Sequence, residues 1–112
     1  MSFITQCVSA STIRVSVISV WEFSMLEFKG KIKLPHNILE WVYEALGAPG
    51  VSLAPLTPEI AIESCQLPGE FHGDPADRMI VATARSLGAT LVTQDAHILA
   101  YSKKDYLRAM SV

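Results

Sequence analysis

"FHGDPADRMIVATARSLGATLVTQD" (Phe71–Asp95) holds one complete helix-to-strand unit, and the placement of its acids is unusual. Asp74 followed by Pro75 marks a helix start, because a short carboxylate caps free N–H groups and proline suits the first helical position. Gly88 is the stop. "TLVTQD" (Thr90–Asp95), rich in β-branched residues, reads as the next strand. Inside the helix, Asp77 shares a face with Ile80, Val81 and Ala84, whereas Arg78 and Arg85 fall on a different stripe expected to meet solvent. A carboxylate at the third helical position is ordinary beside the positive end of the dipole. One leaning toward a core is costly unless something compensates it.

Working outward, "TPEIAIESCQL" (Thr57–Leu67) opens on a Thr-Pro-Glu helix start with Thr57 as cap, and closes at Pro68 and Gly69. "VSLAPL" (Val51–Leu56) is a short strand, and "PHNILEWVYEALGAPG" a helix with Pro35 near its first turn and Gly47 after its last. "TIRVSVISV" (Thr12–Val20) reads as a buried strand, followed by a helix from Trp21 to a stop at Gly30. Ile4, Cys7 and Val8 stand at helical spacing, so residues 1–11 are expected to be the remnant of a preceding helix. On the other side, "AHILAYSKK" is a short helix, and "YLRAMSV" an edge strand or a frayed tail. Strands alternating with helices predict a three-layer α/β/α domain with a mainly parallel sheet, one domain over residues 1–112.

Composition narrows the function. Half of the 112 residues are apolar and 18% are charged, with a net charge of -2, so there is no broad basic footprint for duplex nucleic acid. The basic residues Lys29, Lys31, Lys33, Arg78, Lys103 and Lys104 are scattered, and solvated faces are the default for them; Arg78, beside Asp77, is the candidate phosphate contact. The uncharged stretch Met1–Ile13 is too short to span a bilayer and is a poor secretion signal, which predicts a cytoplasmic protein without a membrane. Cys7 and Cys65 lack metal-type spacing and suit a reducing compartment. His36, His72 and His97 show no zinc-ligand spacing, and His72 is expected to stay exposed. No G-x-S-x-G elbow or phosphate-binding glycine loop is present.

Three acids are brought together by a topological rule. In an open parallel sheet, ligands gather outside the carboxyl ends of the strands. Asp95 ends one strand, Glu22 follows another by two residues, and Asp77 opens a helix between. Carboxylates crowding one edge repel unless a cation joins them, and all-oxygen ligands suit Mg²⁺ or Mn²⁺. Each acid alone has a bland reading, as a solvated helix residue, a cap or a turn former. Ser19 and Thr93 are candidate hydrogen-bond supports for the carboxylates; Ser16 is expected simply to pack in its strand.

The segments "VSVISVWEF", "LPGEFHGDPADRMIVATARSLGATLVTQD" and "ILAY", in that order over Ile13–Tyr101, resemble the PIN domain, specifically the VapC-type toxin ribonucleases. The resemblance implies a Mg²⁺- or Mn²⁺-dependent endoribonuclease of a type II toxin–antitoxin system, with an RNA substrate and an antitoxin protein as partners. It implies Glu22, Asp77 and Asp95 as metal-holding catalytic acids, and Asp74 as a cap rather than a ligand. The family begins with a central strand reading approximately "LLDTHVLLW" and two helices, which nothing before Thr12 matches. The expectation is therefore a fold lacking its first, central strand: a longer protein, a decayed remnant, or a short form completed as a homodimer or by a partner. The rival reading is a catalytically inactive domain that binds protein, either an antitoxin or a second copy.

Overall fold

A computed structural model describes residues 4–7, 12–71 and 73–111, with the backbone alone described for 4–7 and 12. Along the chain run β1 (Ile4–Cys7), β2 (Thr12–Ser16), α1 (Val17–Phe28), α2 (Ile38–Leu46), β3 (Val51–Ala54) and α3 (Pro58–Cys65). These are followed by α4 (Pro75–Leu87), β4 (Thr90–Thr93), α5 (Ala96–Ser102) and β5 (Arg108–Ser111). The expected helix at the start of the chain is not found: Ile4–Cys7 is a strand. His72 and residues 1–3 and 8–11 lie outside the described residues.

The sheet order is β3-β2-β1-β4-β5, so the central place expected to be empty is filled by β1. β2 pairs with β3 and β4 with β5 in parallel, while β1 runs antiparallel to both β2 and β4. The other four strands therefore share one direction, as the mainly parallel reading requires, and β1 alone opposes them. Connection length gives the reason. Cys7 pairs with Thr12, and a link that short joins only antiparallel neighbours, whereas a parallel pair needs a crossover of about a dozen residues or more.

The strand expected over Thr12–Val20 stops at Ser16. Its partner β3 ends at Ala54, the residue opposite Ser16, because Pro55 has no N–H to extend the ladder. Ser16 then caps α1, its hydroxyl accepting the Ile18 N–H at 3.1 Å, and the β-branched Val17, Ile18 and Val20 continue as helix. A buried cap outweighs their strand preference, which is worth only tenths of a kcal/mol to about 1 kcal/mol. α2 likewise starts later than Pro35 suggests, at the Asn37 cap, whose Oδ1 accepts the Leu39 and Glu40 N–H groups. The other starts follow the sequence: Thr57 caps α3, Asp74 caps α4, and Gly88 ends α4 at φ 62°.

The pairing register divides the sheet into two faces. Arg14, Leu91 and Ala109 align on one, and Ile13, Thr90 and Arg108 on the other. Leu91 joins Ile80, Val81, Ala84, Ile60, Ile98 and Tyr101 in the buried core, with α4 as its central helix. The opposite face is thinly covered. Ile13, Val15 and Val51 line an apolar groove of about 330 Å³ with Val20, Phe23 and Trp41, the last two rings stacked at 4.7 Å. Helices thus lie against both faces, and α2 buries none of its residues fully.

Candidate active site

Because β2 and β4 point the same way, the segments leaving their carboxyl ends emerge on one edge. Glu22 sits in the second turn of α1, later than the first turn expected, since the helix begins at Val17. Asp77 lies in the first turn of α4, and Asp95 caps α5, its Oδ1 accepting the N–H groups of His97 at 2.8 Å and Ile98 at 3.1 Å. Asp74 caps α4 by accepting the Asp77 N–H at 2.8 Å.

The electrostatics tie these acids together. Glu22 is half-buried and its proton affinity is pushed up to about 7, first by burial, then by the charges of Asp77, Asp74 and Asp95. Asp77, also half-buried, is raised to about 6 by burial and then by Asp74 and Asp95, with His97 opposing. Oε1 of Glu22 is buried and lacks a hydrogen-bond partner among the described residues. An orphaned carboxylate oxygen in a field of like charge has the chemistry of a cation site.

Oxygen donors under mutual repulsion fit a hard divalent ion. Among the described residues, however, no three His, Cys, Asp or Glu side chains stand together as a ready ligand group. The fit is therefore to an ion that takes one or two carboxylates and keeps several waters, as Mg²⁺ commonly does.

Of the supporting residues, Thr93 is 1% exposed at the end of β4, and its hydroxyl accepts the Asp95 N–H at 3.0 Å. Ser19 is buried on α1 one turn before Glu22, where it also lines the apolar groove. Arg78 departs from expectation. Its Nε donates to the Ser64 carbonyl at 2.8 Å and its Nη1 to the Phe71 carbonyl at 2.6 Å, so the guanidinium is engaged inside the protein. Arg85 is tied down as well: its Nε pairs with Glu63 at 3.0 Å, and its Nη1 donates to the Tyr106 carbonyl. The supposed solvent stripe of α4 fastens α3 and the chain before β5. Ser16 does more than pack in its strand: it is the α1 cap, and the signal for it, a serine at a strand-to-helix junction, is masked by the β-branched residues around it.

The chain is 38% identical over 86 residues to "Ribonuclease VapC22" of Mycobacterium tuberculosis (strain ATCC 25618 / H37Rv), a match covering 77% of this chain and 65% of that protein. The chain thus spans less than two thirds of that relative's length. The PIN domain family matches residues 4–104, including the stretch before Thr12 that the sequence motifs left out. Among the described residues no helix is long and apolar enough to cross a membrane. With the family match spanning nearly the whole chain, this protein belongs to the PIN domain family.

Proposed function

We propose that the chain is a Mg²⁺- or Mn²⁺-dependent endoribonuclease domain of the VapC toxin type, acting in the cytoplasm on single-stranded RNA and controlled by an antitoxin protein. The observation that carries this reading is the buried oxygen of Glu22, unpartnered among the described residues, in the combined field of Asp77, Asp74 and Asp95. Similarity to a protein named as a ribonuclease supports the substrate class. Glu22 and Asp77 would hold the ion, with Asp95 adding negative charge from the α5 cap. Such an ion supplies Lewis-acid stabilisation of a phosphodiester and activation of water. Thr93 fixes the backbone of Asp95, and Asp74 fixes that of Asp77.

A Mn²⁺-supplemented cleavage assay on single-stranded RNA, comparing the chain with Asp77→Asn, tests the proposal. The reading requires a fall of at least about 100-fold in the variant, the scale of losing an electrostatic group that acts in the transition state. Equal RNA loss in both samples would mean contamination and would sink it. A second reading, an inactive domain that binds protein, draws on the exposed Trp21, Phe28, Leu39 and Tyr43 of α1 and α2. Stable binding of an antitoxin without any metal-dependent cleavage would favour it.

A further inference from the structure

Arg78 is adjacent in sequence to Asp77, yet its guanidinium bonds to the protein itself. Nε reaches the Ser64 carbonyl, among the last of α3, whose terminal carbonyls lack helical partners. Nη1 reaches the Phe71 carbonyl, in the segment leading into α4. One planar fork therefore ties both ends of the α3–α4 connection to the first turn of α4.

The connection is seated at further points. The Phe71 ring is buried and packs 5.0 Å from that of Tyr101, whose hydroxyl donates to the Pro68 carbonyl at 2.6 Å. A Cβ added at Gly73 would overlap the Phe71 ring and come within 3.0 Å of the Asp77 Cβ. The backbone just before the Asp74 cap is thus pressed between Phe71 and Asp77, a space that only glycine fits.

We propose that Arg78 is a positioning residue, whose two-carbonyl clamp seats the Gly73–Asp74 backbone and thereby sets Asp74 and Asp77 beside Glu22. The ion-binding part of this inference rests on the proposed function; the clamp itself does not. Arg85 supplies the control, since it makes a similar double attachment on the same helix two turns away from the acids.

The test compares the full chain with Arg78→Lys, Arg78→Gln and Arg85→Gln. Mn²⁺ affinity is followed by the paramagnetic resonance of the free ion, and protection of the Asp77 N–H by hydrogen exchange. A lysine keeps the charge but not the fork. Both Arg78 variants should bind Mn²⁺ at least about tenfold more weakly and exchange the Asp77 N–H at least about tenfold faster, about 1.4 kcal/mol in each equilibrium. Arg85→Gln should lower the melting temperature and move neither quantity. If Arg78→Gln does not fold, Arg78→Lys carries the comparison. Wild-type Mn²⁺ affinity and exchange in Arg78→Lys would overturn the clamp, as would equal losses in Arg85→Gln. If the wild-type chain binds no Mn²⁺, the ion reading falls, and the Asp77 exchange rate alone decides whether Arg78 positions the acids.

Discussion

Glu22, already raised by burial above its ordinary proton affinity, is raised further by the charge of Asp77. Burial and the neighbouring carboxylates push Glu22 up to about 7 and Asp77 up to about 6.

Stability should therefore fall as pH rises through the neutral range when no metal is present. The unfolded chain releases these protons near the ordinary values of 3.8 and 4.5, while the folded chain holds them to about 6 and 7. The stabilising contribution is full below the lower pair of values, declines between them, and is gone above about 7. Melting in EDTA from pH 4 to 8 should show this decline. Glu22→Gln should remove much of it, gaining on the order of 1 kcal/mol at pH 8 after solvent screening and little at pH 4. Parallel profiles for the two proteins would contradict the mutual repulsion.

Asp74 combines a cap with a charge, and two substitutions separate them. Asparagine caps as well as aspartate, so Asp74→Asn should cost little stability while lowering the proton affinities of both Asp77 and Glu22. Asp74→Ala removes the cap as well and should cost about 1 kcal/mol more. Carboxyl-carbon NMR titration of Asp77 alongside chemical denaturation measures both effects. An unchanged Asp77 titration in Asp74→Asn would show that Asp74 lies electrically outside the cluster.

Much of this was legible in the sequence because it depends on local chemistry. The Asp74-Pro75 start, the Gly88 stop and the Ile80, Val81, Ala84 face each declare themselves within a few residues, and the structure has them as read. The strand and helix divided at Ser16 were not legible, since the stop comes from Pro55 on a partner some forty positions away. β1 was missed for a similar reason. A four-residue strand carries too little periodicity to be told from a helical turn, and its place is set by pairing on both sides. For Arg78 and Arg85, a helical wheel finds their stripe but cannot see the carbonyls that α3 and the following segments bring to it.

The central position of β1 makes a claim about backbone protection. Thr5 and Gln6 are paired with Arg14 and Ile13 on one side and with Leu91 and Thr90 on the other. Their amides should exchange with solvent about as slowly as that of Leu91, because a doubly paired central strand opens only with the sheet. Native-state hydrogen exchange resolves this. Exchange of those two amides at the rate of an unstructured peptide would remove β1 from the sheet.

Proton and ion should compete for the same carboxylates. Below pH 6 both Asp77 and Glu22 hold protons in the folded chain, and a hard cation binds only the ionised forms. Adding Mn²⁺ should accordingly raise the melting temperature at pH 8 and have little effect at pH 5. At about 100 times the dissociation constant, the stabilisation should approach about 2.7 kcal/mol. Asp77→Asn should lose most of the response at pH 8 while remaining folded, since the amide keeps the shape and removes the charge. The pH contrast separates this site from adventitious surface binding, because a fully solvated model carboxylate is ionised at both values. Equal stabilisation at pH 5 and pH 8 would place the ion elsewhere on the surface and leave Glu22 and Asp77 without the role assigned to them.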